Sequence, residues 1–180
     1  MLRITVPSKE IFDEATSSFV DVKEQTLTLE HSLVSLYKWE SKWHKPFLSK
    51  EGKTNEETID YIKCMTLTQN VDPNVYMCLT NKNIQDINDY IEDPMTATTF
   101  SDDNKKSGKQ KIVTAEVIYY WMLSLQIPFK CEKWHLNKLL TLIRVCNAEN
   151  APAEKKSMAD IRKSNRELNM ARRKKLNSKG

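Results

Sequence analysis

A cysteine and a histidine lie four residues apart at Cys131 and His135, and Cys146 follows later in the chain. Thiolates and imidazoles bind zinc, but a structural zinc site takes four such ligands, usually as two close pairs. The sequence supplies one pair and a single further cysteine. The pattern therefore predicts no metal site. We expect His135 at the edge of a helix pair and both cysteines in the core.

Acid–base catalysis by imidazole is limited to His31, His44 and His135. A nucleophilic mechanism needs a nucleophile, a base and a group that orients the base. Each histidine lies in a lysine- or leucine-rich context, without a nucleophile elbow or an HExxH motif. Three glycines in the whole chain leave no glycine-rich phosphate loop. The sequence predicts a protein that is not an enzyme, with no catalytic residues and no cofactor.

Aromatic residues and lysines are interleaved between positions 37 and 47. Such a pattern can stack nucleic-acid bases and contact phosphates. It also fits an amphipathic surface helix with Tyr37 and Trp43 on the apolar face, which we favour. Helical spacing directs Trp39 away from that face. Because aromatic residues dominate interface hot spots, we predict a partner-binding surface at Trp39, Trp43 and Phe47.

Positive charge is concentrated at the C-terminal end of the chain. Residues 151–180 contain ten basic and three acidic residues, a net of +7, which leaves −3 for residues 1–150 out of the total of +4. This tail can bind nucleic-acid phosphates, or it can fold against an acidic partner helix. It has no aromatic residue and no RNA or DNA motif, so we favour the protein partner. The predicted partner-binding side chains of the tail are Arg162, Arg166, Arg172 and Arg173.

Hydrophobic periodicity predicts a mainly α protein with two parts. Residues 1–150 are expected to form a compact helical body with a small N-terminal β element, and residues 151–180 a basic helical tail. Alternating apolar residues predict two short strands, at 2–6 and near 27–29, with a polar turn-rich stretch around 14–18 between them.

Capping residues, prolines and helical spacing predict four helices in the first half of the body. Their signals are Ser32 with a stop at Pro46, Thr54 with Glu57 as a capping box, Asp72 ahead of Pro73, and the series Ile84, Ile87 and Ile91. Residues 93–111 are polar and read as an exposed loop.

Two segments in the second half of the body are rich in apolar residues. Residues 113–127 are apolar nearly all round, which predicts a helix buried on most sides. Residues 131–147 place Leu136, Leu139 and Ile143 on one face. We predict that these two helices pair as the hydrophobic centre of the fold.

The N-terminal residues lack the apolar core of a secretory signal, and the longest apolar stretch is too short to cross a bilayer. These features predict a cytoplasmic protein. Its four cysteines are scattered in apolar surroundings and are expected to be reduced.

Three stretches, with a basic ARRKKL ending, resemble small proteins encoded in the tail-gene region of tailed bacteriophages, and most closely the tail assembly chaperones. They run from Leu29 to Leu48, from Tyr90 to Phe100 and from Ile118 to Asn147. Together with the ending, they span most of the chain, from Leu29 to Leu176.

The resemblance implies a protein that acts in the host cytoplasm. Such chaperones bind the long, helical tape-measure protein, keep it soluble, and give way as tail-tube subunits polymerise around it. They often exist in short and extended forms through programmed frameshifting. Two alternatives stay open: a structural virion component such as a connector or tail-completion protein, and a nucleic-acid-binding protein acting through its tail. Oligomerisation stays open as well.

Overall fold

The computed structural model describes residues 1–13, 18–100, 112–151 and 158–176. Most of these residues are helical, which confirms the predicted mainly α class. The chain divides into two compact units, Met1–Asn147 and Ala148–Gly180. We call the first unit the body.

Four short strands form two antiparallel pairs near the N-terminus. They are β1 (Leu2–Val6), β2 (Lys9–Asp13), β3 (Ser18–Val22) and β4 (Gln25–Leu29). β1 pairs with β4, with Leu2 opposite Leu29, and β2 pairs with β3. The alternation seen in the sequence buries Ile4, Val6 and Leu27 on one face. The stretch predicted as a turn around 14–18 lies partly outside the described residues, and Ser18 begins β3.

Six α-helices and two 3₁₀ helices account for the rest of the regular structure in the described residues. The α-helices are α1 (Leu33–Trp43), α2 (Asn55–Met65), α3 (Asn81–Glu92), α4 (Ala115–Ser124), α5 (Leu136–Asn150) and α6 (Met158–Leu176). The 3₁₀ helices are Pro73–Cys78 and Phe129–Lys133.

The helix boundaries follow local hydrogen-bond chemistry. The hydroxyl of Ser32 accepts from Ser35 N at the start of α1, and Thr54 with Glu57 forms the predicted capping box of α2. α1 ends three residues before the predicted stop at Pro46, because His44 adopts a left-handed backbone with φ 53°. The Asp72 and Pro73 signal begins a 3₁₀ helix rather than an α-helix.

The centre of the body is α1, which packs against α2, α4 and the 3₁₀ helix Phe129–Lys133. This differs from the predicted centre, a pair of helices corresponding to α4 and α5. The prediction that residues 113–127 are buried on most sides is wrong. Only one side of α4, formed by Ala115, Ile118 and Met122, is buried. α4 packs mainly against α1, so the sides turned away from α1 keep much of their exposure.

Candidate partner-binding surfaces

The predicted outward position of Trp39 is wrong. Its side chain is 1% exposed, and its Nε1 donates to the backbone oxygen of Glu57, 2.8 Å away. The buried side of α1 runs through Leu33, Leu36 and Trp39 because α2 packs there. Tyr37, predicted on the apolar face, is 46% exposed instead. The buried side of α1 is therefore rotated about the helix axis from the side that sequence spacing predicted.

Trp43 and Phe47 belong to the same aromatic packing as Trp39. Phe47 is buried and stacks on Tyr61 with a centroid distance of 3.9 Å. Trp43 is half-buried, and its Nε1 donates to Asp60 Oδ2 at 3.0 Å. These contacts join α1, α2 and the loop after α1. The side chains predicted to bind a partner thus hold two helices of the body together, and Trp39 and Phe47 are not available at its surface.

A buried carboxylate fixes the position of α4 against α1. Glu40 accepts from Phe47 N at 2.8 Å and from Ala115 N, the first residue of α4, at 2.7 Å. Burial raises the pKa of Glu40, although both backbone donors oppose the rise. A negative charge at a helix N-terminus is favourable, and here it also satisfies a donor that has no partner within the helix. Glu40 therefore holds the N-terminus of α4 against α1.

The side of α4 away from Trp121 presents exposed aromatic and aliphatic groups. Tyr120 is 66% exposed and Leu123 is 60% exposed. Residues along an α-helix turn by about 100° each, which places Tyr119 and Leu123 between the buried side and Tyr120. These three side chains form one continuous strip along the helix.

Neighbouring rings extend this strip beyond α4. The ring of Tyr119 lies 6.1 Å from Tyr37 of α1 and 6.4 Å from Phe129, which is 53% exposed. We call the five residues the aromatic surface: Tyr37, Tyr119, Tyr120, Leu123 and Phe129. Isolated exposed apolar residues are ordinary, whereas a contiguous group of them is a candidate interaction surface.

The ring of Tyr119, which is half-buried, is held in place by a hydrogen bond. Its hydroxyl donates to Glu132 Oε2 at 2.9 Å, and burial together with this carboxylate raises the pKa of Tyr119. A fixed ring loses little conformational entropy when a partner docks, which favours binding. The aromatic surface therefore has a rigid centre.

An apolar groove of about 800 Å³ lies on the other flank of α4. Its apolar wall includes Val113, Trp121 and Leu140, and Lys50 and Arg144 line it as well. α4 and α5, predicted to pack together as the core, instead supply residues to the lining of this groove. α4 therefore has an accessible apolar surface on each side.

The buried histidines form part of a polar network at the start of α1. His31 Nδ1 lies 2.6 Å from the Tyr61 hydroxyl, and the rings of His31 and His135 are 5.1 Å apart. His135 Nε2 donates to Tyr90 O at 2.9 Å, which leaves Nδ1 as a buried acceptor without a hydrogen-bond partner among the described residues. His135 is thus buried rather than at the edge of a helix pair. The network ties α2, α3 and α5 to the end of β4.

This network predicts a loss of stability in mild acid. Burial, with a smaller contribution from His135, lowers the pKa of His31 to about 3, and burial also lowers the pKa of His135. The unfolded chain binds a proton at each histidine below about pH 6.5, whereas the folded chain resists it. The free energy of unfolding should fall by about 3 kcal/mol between pH 7 and pH 4 from His31 alone.

Urea denaturation at several pH values measures this loss. The variant His31→Gln is expected to show a shallower decline over the same range, since it removes the group that titrates only on unfolding. Parallel pH profiles for the variant and the parent protein would rule out His31 as the cause.

The described residues contain no group of three or more histidine, cysteine, aspartate or glutamate side chains that could hold a metal ion. All four cysteines are free thiols; Cys131 is buried and Cys146 is half-buried. Among the described residues, no helix is both long enough and apolar enough to cross a bilayer.

The predicted arginines of the tail lie on α6, in the second unit. All the side chains from 162 to 176 are exposed, including those of Arg162, Arg166, Arg172 and Arg173. Since none of them is buried, their exposure is compatible with the predicted role in binding.

Sequence reasoning missed the aromatic surface for a physical reason. In a helix that is apolar nearly all round, no polar residues mark the side that faces water. The one available signal was Tyr119 and Tyr120, because a tyrosine hydroxyl tolerates the boundary between protein and solvent better than an aliphatic group does.

Comparison with protein-family models, curated proteins and solved structures finds no match for this chain.

Proposed function

We propose that this protein is a tail assembly chaperone of a tailed bacteriophage, which binds the tape-measure protein in the host cytoplasm and keeps it soluble. The observation that carries the proposal is the aromatic surface. A chaperone of this class has to cover apolar helical segments of its client, and exposed aromatic side chains on a rigid helix are suited to that task.

Two further features support the same function. The stretch of the resemblance from Ile118 to Asn147 contains four of the five residues of the aromatic surface. The apolar groove on the other flank of α4 offers a second place for apolar side chains of the client. Both surfaces belong to the body, so client binding is assigned to the body and not to the tail. Tail-tube subunits would displace the protein as they assemble.

Quantitative mass spectrometry of infected cells and of purified particles tests this function. We expect the protein to be abundant in the lysate and absent from finished virions. A stoichiometric amount in the virion would instead identify a structural component such as a connector or tail-completion protein. A very long helical reading frame immediately downstream of the gene is also expected, since tape-measure proteins are of that kind.

A further inference from the structure

Arginines and asparagines share one side of α6. Arg162, Asn165, Arg166, Asn169 and Arg173 line a shallow groove along the helix, together with Met170. At about 100° per residue, these five polar residues fall within an arc of about 100° and extend over about 16 Å of the helix axis. We call them the arginine row.

The charge of α6 is not neutralised within the helix. Positions 162–176 carry seven basic residues and one acidic residue, Glu167, and none of them forms an ion pair with another of these residues. Arg162 and Arg166 are one helical turn apart, an arrangement in which like charges repel. A ligand with regularly spaced negative charges would relieve this repulsion and stabilise the helix.

The apolar residues of α6 do not favour a protein partner. Met158, Ile161, Leu168 and Leu176 fall within an arc of about 80°, but Arg172 and Asn165 lie in the same arc and interrupt it. Met170 lies on another side of the helix. Protein interfaces are built around an apolar centre and are depleted in lysine. α6 has no uninterrupted apolar stripe and no aromatic residue that could form such a centre.

Among nucleic acids, the geometry favours a B-form duplex. An α-helix with its side chains is about 10–12 Å wide, which matches the roughly 12 Å width of the B-DNA major groove. The major groove of duplex RNA is too narrow for side chains to read, and single strands are usually held by aromatic stacking, for which α6 has no residue. Arginine and asparagine are the side chains that pair with guanine and adenine edges in the major groove.

We propose that α6 binds double-stranded DNA by placing the arginine row in the major groove. This inference goes beyond the client-binding function, which is assigned to the body. It also reverses the preference for a protein partner of the tail that the sequence alone supports, because Asn165 and Arg172 interrupt the apolar side of the helix.

Fluorescence anisotropy with the full chain and a labelled DNA duplex of about 24 base pairs, a little over two helical turns, tests the proposal. The variant R162Q/R166Q/R173Q removes the row, and K163Q/K174Q/K175Q removes the same charge from the remaining sides of α6. DNA binding by the full chain should weaken as salt rises from about 0.05 to 0.2 M, because basic side chains of α6 displace counterions from the phosphates.

The row variant should weaken DNA binding on the order of 100-fold at about 0.1 M salt, whereas the lysine variant should weaken it less than 10-fold. Circular dichroism of both variants checks that the body stays folded. Equal weakening by both variants, tighter binding of duplex RNA or single-stranded DNA, or the absence of salt-dependent DNA binding would each overturn the proposal. Tighter binding of polyglutamate than of DNA would assign the row to an acidic protein. None of these outcomes bears on client binding by the body.

Discussion

Replacing Tyr120 and Leu123 together by glutamine is expected to raise the Kd for the tape-measure protein by 10²- to 10³-fold. Interface hot spots cost about 2 kcal/mol or more each when truncated, and the effects of neighbouring residues are not fully additive. Both side chains are well exposed on α4, and glutamine is a good helix former, so the fold should tolerate the change. Peptides tiled along the tape-measure sequence provide the binding assay.

A matched control uses exposed apolar residues outside the aromatic surface. Leu67 and Met77 are exposed in the body, and the double variant Leu67→Gln and Met77→Gln removes similar apolar groups. It should bind peptides as the parent protein does. If both double variants lose affinity equally, the effect reflects general apolar exposure and the aromatic surface is not the site.

The second large effect expected is on stability. Trp39→Ala should lower the free energy of unfolding by about 3–5 kcal/mol, the usual range for truncating a buried tryptophan. The side chain is 1% exposed and also donates a hydrogen bond to Glu57 O. A domain is stable by only about 5–15 kcal/mol in total, so this variant should be close to unfolding.

Two further variants distinguish the effect of lost packing from that of the lost hydrogen bond. Guanidinium denaturation followed by circular dichroism measures the stability of each variant. Trp39→Phe keeps most of the volume but loses the hydrogen bond, and should cost about 1–2 kcal/mol. Tyr37→Ala, two residues away and partly exposed, should cost less than about 1 kcal/mol. Trp39→Ala costing no more than Tyr37→Ala would mean that the tryptophan faces solvent, as sequence spacing indicated.

The contrast between Trp39 and Tyr37 shows that periodicity can locate a helix but does not always identify its buried side. The sequence located α1 from Ser32 and Pro46, but the apolar residues on it span more than one side. The buried side was decided by partners distant in sequence, namely the Glu57 carbonyl and the backbone N–H of Ala115, which bind Trp39 and Glu40. The spacing of residues along α1 cannot predict contacts with residues so distant in sequence.

Capping chemistry was the most reliable local signal. Ser32 and the Thr54 and Glu57 capping box begin helices as predicted, because these side chains bond backbone groups within three residues. The strand pair at residues 2–6 and 25–29 followed from alternation of apolar residues. The pairing of β2 with β3 was not predicted. Their sequences, KEIFD and SFVDV, bury few side chains and therefore show only a weak periodic signal.

The candidate site was harder to predict than the fold. Trp39 and Phe47 were chosen because aromatic residues are common in interfaces, but they are equally common in cores. The aromatic surface depends on which side of α4 is covered by α1, and that is a tertiary property. The predicted arginines of the tail are exposed on α6, and their role in binding a partner stays a prediction.

A photo-crosslinking amino acid placed at Tyr120 in the full chain tests the central claim most directly. Irradiation of cells that also produce the tape-measure protein should give a covalent product between the two chains, and the same group placed at Met77 should give little. Crosslinks at Tyr120 only to a second copy of this chain, or equal yields at both positions, would contradict the claim that the aromatic surface holds the client.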